Sequence, residues 1–100
     1  MIEQWAYIHN FPYEVSNLGR VRHSKTKRLL NRVVKRGYYT VSLSVRGHKW
    51  TKKVSRLVYE AWVGDLIPGM VIDHIDHNKL NDVRDNLQQS QNMQRIPRHA

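Results

Sequence analysis

Gly37-Tyr38-Tyr39-Thr40-Val41-Ser42-Leu43-Ser44-Val45-Arg46-Gly47-His48-Lys49-Trp50-Thr51-Lys52-Lys53-Val54 reads as one antiparallel hairpin, and it sets the character of the chain. Tyr39, Val41, Leu43 and Val45 alternate with Tyr38, Thr40, Ser42 and Ser44, the period of two expected of a strand with one buried face. Arg46-Gly47 is a two-residue reversal. The return run, His48 to Val54, carries three lysines.

Toward the N-terminus the same rhythm continues in shorter pieces. Trp5-Ala6-Tyr7-Ile8 and Tyr13-Glu14-Val15-Ser16 flank Asn10-Phe11-Pro12, and Asn17-Leu18-Gly19 turns the chain into Arg20-Val21-Arg22-His23. These read as small edge strands. An irregular basic run from Ser24 to Arg28 and the segment Leu29 to Lys35 lead into the hairpin.

Toward the C-terminus the period changes. Leu57, Val58, Ala61 and Trp62 fall on one side of a short helix over 55–62, with Ser55 as its expected N-cap. Gly64, Pro68 and Gly69 break it. Met70 to Ile75 reads as a strand, Asp76 to Arg84 as a polar loop and Asp85-Asn86-Leu87 as a short return strand. Ser90 is the expected cap of a last helix through Gln94, which Pro97 stops. The expected class is α+β: a β-rich module over 1–54, a linking helix and turn over 55–69, and a strand-loop-strand-helix unit over 70–100. Trp5, Trp50 and Trp62 are expected in the core, with the rim of the sheet as the alternative for Trp50, which lies among Lys49, Lys52 and Lys53.

Hydrophobic residues make up 40% of the 100 residues, enough for a folded core. Seventeen Lys and Arg against eight Asp and Glu leave a formal charge of +9, which concentrates polyanions around the chain. Nucleic acid is the leading partner, with a ribosome-like structural role or a basic surface that aids solubility as the alternatives. The basic residues fall into three groups: Arg20, Arg22, Lys25, Lys27 and Arg28; Arg32, Lys35, Arg36 and Arg46; and Lys49, Lys52, Lys53 and Arg56. A hairpin sheet carrying such side chains can lie in the major groove or track phosphates. There is no cysteine, which excludes disulfides, thiolate zinc sites and a cysteine nucleophile. No stretch approaches the roughly 20 apolar residues of a membrane span, and the first residues lack the order of a signal peptide. The expectation is an intracellular protein with no membrane partner, a monomer or weak homodimer.

Between Val71 and Asn92 the chain gathers acids, imidazoles and carboxamides: Asp73-His74-Ile75-Asp76-His77-Asn78, then Asn81-Asp82, Asn86-Leu87 and Gln91-Asn92. A carboxylate beside a neutral imidazole can hold a hard divalent cation and deprotonate a neighbouring water, as phosphodiester hydrolysis requires. The competing reading is a polar turn whose side chains cap their own backbone. Asn78, Asn81 and Asp82 fit that second role, and Asp76 and His77 a solvated loop tip. His74, His77 and His99 without thiolates form no structural zinc set.

These residues resemble the HNH homing endonucleases of phage and intron origin, which carry a similar order of Asp-His-Ile-Asp, Asn, Asn-Leu and terminal Asn. Trp5 with Tyr13 to Val21 is similar to the modular element that often precedes that nuclease core, and Arg56-Leu57-Val58 with Ala61 and Trp62 resembles its linking helix. The likeness spans nearly the whole chain. It implies a ββα-metal site in which Asp73 binds a divalent ion, magnesium or manganese, and His74 is the general base. Asn86 would hold the His74 backbone or loop in register, and Asn92 would supply the second protein ligand. The stretch before Asn92 is shorter than in the family; if the helix is used one turn later, Gln94 or Arg95 would face the site instead, a poorer ligand that implies weak metal binding or none. Where the family often has a histidine before Arg-Leu-Val, this chain has Ser55.

The implied partner is double-stranded DNA and the implied activity its metal-dependent hydrolysis, leaving a 5′ phosphate and a 3′ hydroxyl, in the cytoplasm of a bacterial or phage-infected cell. One site per chain implies one nick per visit. The rivals are a DNA-binding protein that keeps the scaffold without catalysis and a basic RNA-binding domain. Strict alternation sends Asp73 and His74 to opposite faces, so a shared site requires a twist or a break in the pleat where the loop begins.

Overall fold

The computed structural model describes residues 2–91, so the expected last helix, including Asn92, Gln94 and Arg95, lies outside the described residues. Among the described residues eight strands and one α-helix form an α+β fold. Strands β1 (Trp5–Tyr7), β2 (Tyr13–Ser16) and β3 (Val21–His23) make an antiparallel sheet in that order. Strands β4 (Val33–Lys35), β5 (Tyr38–Val45) and β6 (His48–Lys53) make a second, again in chain order. Strands β7 (Met70–His74) and β8 (Leu87–Gln91) form a two-stranded ribbon.

The long hairpin forms as its pattern requires. Val41 and Leu43 are buried, while Ser42 and Ser44 are exposed. Arg46 and Gly47 both take left-handed φ values of 51° and 81°, the conformation that matches a two-residue hairpin turn to the twist of its strands. Arg36 and Gly37 do the same between β4 and β5, at 55° and 85°.

Helix α1 (Val54–Trp62) is the hub. Its buried residues Val54, Leu57, Val58 and Tyr59 pack among Val15, Val21, Val41, Leu43 and Leu87, drawn from all three sheets. Two side chains tie it down: Trp62 Nε1 donates to the Val15 carbonyl at 3.1 Å, and Gln89 Nε2 donates to the Tyr59 hydroxyl at 2.9 Å. No helix among the described residues is long and apolar enough to cross a membrane.

Several local expectations need correction. β2 is the centre of its sheet, not an edge, and all four of its residues are buried. The N-cap of α1 is Lys53 without a side-chain cap bond; Ser55 lies inside the helix and is buried. Arg84–Asn86 is a 3₁₀ turn, and the return strand starts only at Leu87. Ser90, expected as a helix cap, and Gln91, expected in the first turn of that helix, therefore sit within β8. Trp5 and Trp62 are partly buried, but Trp50 is 50% exposed.

Candidate active site

The loop that closes β7 to β8 is built from its own polar side chains. Asp76 Oδ1 accepts from Asn78 N at 2.8 Å and from Asn86 Nδ2 at 2.9 Å, while Asp76 Oδ2 accepts from Asn81 Nδ2 at 2.8 Å. Asn86 closes the ring: its Oδ1 accepts from Asp76 N at 3.0 Å, its Nδ2 also reaches the Asn81 carbonyl at 2.9 Å, and its own carbonyl accepts from Ile75 N at 2.8 Å. Donation from Asn81, then from the Asn78 backbone and from Asn86, holds the Asp76 carboxyl below its usual value. Asn78 Oδ1 caps Leu80 N at 3.1 Å. His77 is exposed, with a left-handed φ of 65°.

Fixed by this loop, His74 is 8% exposed at the end of β7, and its Nε2 lies 2.7 Å from Asp82 Oδ1. Asp82 is 3% exposed. Burial pushes its carboxyl up, while the bond to His74 and the nearby Arg32 charge pull it back. Asp82 Oδ2 is buried without a partner among the described residues. The Tyr38 ring lies against the imidazole, with centroids 5.9 Å apart. It in turn carries Lys53 Nζ at 4.2 Å and Lys79 Nζ at 5.2 Å from its centroid.

Asp73 points the other way. The β7–β8 ladder is regular through Asp73↔Gln88 and His74↔Leu87, so the pleat does not break before the loop. His74 shares the core-facing side with Leu87, and Asp73 shares the outer side with Ser90, whose hydroxyl donates to Asp73 Oδ2. Asp73 opens into a cleft of about 490 Å³ that Tyr38, Lys53, Arg56 and Ser90 also line. Tyr38 thus borders both groups, lining the cleft of Asp73 and stacking on His74.

No group of three or more His, Cys, Asp or Glu side chains that could hold a metal occurs among the described residues. Asp73 with the Ser90 hydroxyl offers hard oxygen donors from one carboxylate. Such a set suits magnesium or manganese, ions that commonly take one or two carboxylates and complete their shell with water and substrate phosphate.

The basic residues separate by sheet. Arg20 pairs with Glu3, Arg22 Nε lies 2.7 Å from Glu14 Oε1, and Lys27 Nζ lies 3.3 Å from the same oxygen. Arg32 lies over the Tyr39 ring and donates to the Gly19 carbonyl at 3.2 Å. Lys25 and Arg28 are exposed beside them. In the second sheet, cross-strand pairing places Lys35 opposite Tyr38, Lys53 opposite Thr40, Thr51 opposite Ser42 and Lys49 opposite Ser44, all on one face. That polar face ends at Tyr38 and His74. Arg36 and Arg46 occupy its two hairpin turns, and Lys52 belongs to the opposite face. No acid stands between Glu14 and Glu60. Sequence reasoning left Tyr38 and Asp82 out of the site. Asp82 read as a loop-fixing residue, and only the path of the loop reveals its partner.

Two family profiles match the chain in succession, one described as the NUMOD4 motif over residues 3–44 and one as HNH endonuclease over residues 52–94. An uncharacterized HNH endonuclease of Acanthamoeba polyphaga mimivirus is 39% identical over 88% of this chain and 27% of its own length. DNA endonuclease I-HmuI of Bacillus phage SP01 is 36% identical over 84% of this chain and 50% of its own. H-N-H endonuclease F-TflI of Escherichia phage T5 is 32% identical over 85% and 46%. A solved structure titled as DNA binding and cleavage by the HNH homing endonuclease I-HmuI superposes with a TM-score of 0.83 at 31% identity, covering 90% of this chain and 53% of that one. The chain thus spans half or less of the length of these curated relatives.

Proposed function

The chain belongs to the HNH endonuclease family through two adjoining motifs, and we propose that it is a metal-dependent DNA endonuclease with His74 as general base. The observation that carries this reading is the commitment of His74 Nε2 to Asp82. With Asp82 ionised, its carboxylate only accepts, which assigns the proton to Nε2 and the lone pair of a neutral ring to Nδ1, a nitrogen with no hydrogen-bond partner among the described residues. Nδ1 takes the proton of a water as its oxygen attacks phosphorus. The bond to the 3′ oxygen breaks, leaving a 5′ phosphate and, after protonation, a 3′ hydroxyl.

A divalent ion held there, magnesium or manganese, would supply charge stabilisation to the phosphate and the departing 3′ oxygen. Asp73, oriented by Ser90 and joined to His74 through the Tyr38 ring that borders both, is the residue proposed to hold it, with Asn92 as the second ligand; Gln94 facing the site instead would be a poorer ligand, and Arg95, which has no lone pair to give, would leave Asp73 without a second protein ligand. Asn86 keeps the loop closed behind His74. Lys35, Lys49 and Lys53, with Arg36 and Arg46 at the turns, seat the phosphates of the duplex on the second sheet and lead it to Tyr38. Lys25, Arg28 and Lys52 add weaker phosphate contacts at the margins.

Incubation of supercoiled plasmid with magnesium or manganese tests the proposal. Wild type nicks the plasmid, and His74→Ala loses roughly 10²- to 10⁴-fold of that rate, the usual contribution of a positioned base, with duplex affinity retained. A wild type that binds duplex without nicking would favour the second reading, a DNA-binding protein on a nuclease scaffold. The specific observation behind that reading is the single carboxylate on the outer face of β7 and β8.

A further inference from the structure

The turn over 16–20 belongs to the N-terminal sheet, far in sequence from His74, yet it touches the residue that holds the imidazole. Gly19 has a φ of +89°, and a Cβ placed on it would stand 3.1 Å from Asp82 Cβ and 3.2 Å from the Asp82 carbonyl oxygen. The turn is rigid. Ser16 Oγ accepts from Leu18 N at 3.2 Å and Arg20 N at 3.1 Å, and Asn17 is tied to the segment before β1 through Gln4 N at 2.8 Å and the Ile2 carbonyl at 3.2 Å. A second backbone link joins it to the loop, because Arg84 N donates to the Asn17 carbonyl at 2.8 Å.

We infer that this turn is part of the catalytic apparatus: Gly19 seats Asp82, and Asp82 is a positioning residue that fixes His74 with its proton on Nε2. A purely structural pair gives no reason for an Asp82 Oδ2 that is unpartnered among the described residues. A buried oxygen without a donor is costly, and an apolar pair would fill the same space without it. What the carboxylate provides that an apolar side chain cannot is a fixed ring orientation and a fixed tautomer. The Tyr38 ring limits rotation of the imidazole from the other side. The inference rests on the reading of His74 as the base.

The test is the ¹⁵N spectrum of the His74 ring in the full chain at one alkaline pH, without metal or DNA, beside single-turnover cleavage and duplex affinity. Wild type shows the Nε2–H tautomer. The isosteric Asp82→Asn can offer an amide proton to the ring, so it raises the Nδ1–H population and slows cleavage on the order of 10²-fold or more, with affinity unchanged within about twofold. Gly19→Ala shifts the tautomer in the same direction. Gly47→Ala, which meets the same left-handed strain with nothing within 4 Å, does not. Asn17→Ala, which loosens the turn without touching Asp82, is the milder version if Gly19→Ala fails to fold. A wild type with its proton on Nδ1, or an Asp82→Asn ring indistinguishable from wild type, overturns the role of Asp82. An unchanged ring in the folded turn variants overturns the role of the turn. Because the spectrum requires no turnover, an inactive wild type would refute the endonuclease reading while leaving the tautomer result to stand on its own.

Discussion

The first and second sheets are both short, antiparallel and rich in Lys and Arg, yet their cations do opposite things. In the first sheet Arg20 is taken by Glu3, and Arg22 and Lys27 by the buried Glu14, with Arg22 also lying 3.9 Å over the Trp5 ring. In the second sheet Lys35, Lys49 and Lys53 are exposed on one face, and none pairs with an acid among the described residues. Cations already neutralised release few counterions to a polyanion, whereas free ones release many. A basic strand is therefore a DNA-binding signal only when its acids are elsewhere.

The sharpest way to break this contrast is the triple change of Lys35, Lys49 and Lys53 to Gln. Removing one cation that neutralises a phosphate lowers the slope of log affinity against log salt by about 0.9, or about fivefold in affinity near 0.15 M salt. Together the three changes weaken duplex binding on the order of 100-fold, measured by a fluorescence-anisotropy salt series. Arg20→Gln and Arg22→Gln leave the slope unchanged. Equal slopes for both groups would erase the distinction between the sheets.

The same contrast predicts that the first sheet's charges act on stability. Glu14→Gln weakens charge-assisted bonds to Arg22 and Lys27 in a buried position and costs about 2 kcal/mol, read by urea unfolding, with the salt slope of DNA binding unaltered. Glu14 is held below its ordinary 4.5 chiefly by Arg22, and Asp76 below its ordinary 3.8 chiefly by Asn81. A lowered folded value means that the stabilisation is complete above the ordinary values and is lost as pH falls through the folded ones. The chain accordingly loses stability below about pH 4.5, and Glu14→Gln flattens part of that fall. A variant as acid-sensitive as wild type would remove Glu14 from the account.

What the sequence disclosed follows the range of the interaction involved. The alternation from Tyr38 to Val45 and the reversal at Arg46-Gly47 are local, and the residues alone suffice to read them. The α+β class and the HNH resemblance were legible for the same reason: Asp73, His74 and Asn86 stand in a fixed linear order. β8 was less legible, because Gln88, Gln89 and Ser90 show no apolar alternation. Gln89 fills an inward position by bonding the Tyr59 hydroxyl and the Asp65 carbonyl, which no periodicity announces. Asp82 and Gly19 were hidden for a different reason. Their meeting depends on a loop closed by Asp76 and Asn86 and a turn more than sixty residues earlier. The pairing of Glu14 with Arg22 and Lys27 was equally out of sight, so all the basic residues looked alike.

The smallest expected effect concerns Trp50, which lies across from Leu43 and so on the face opposite the three lysines, at the rim of the sheet. It is half exposed, meets Phe11 edge-on with centroids 6.4 Å apart, and carries Lys52 Nζ at 5.9 Å. An aromatic pair of this kind contributes about 1 kcal/mol, so Trp50→Ala lowers stability by that amount. If the duplex lies only on the lysine face, affinity stays within about twofold. A stability left intact beside an affinity reduced tenfold would place DNA against the Trp50 rim. Lys52, rather than Lys35, Lys49 and Lys53, would then mark the path to Tyr38 and His74, and the boundary between structural and binding cations would run through the second sheet rather than between the two.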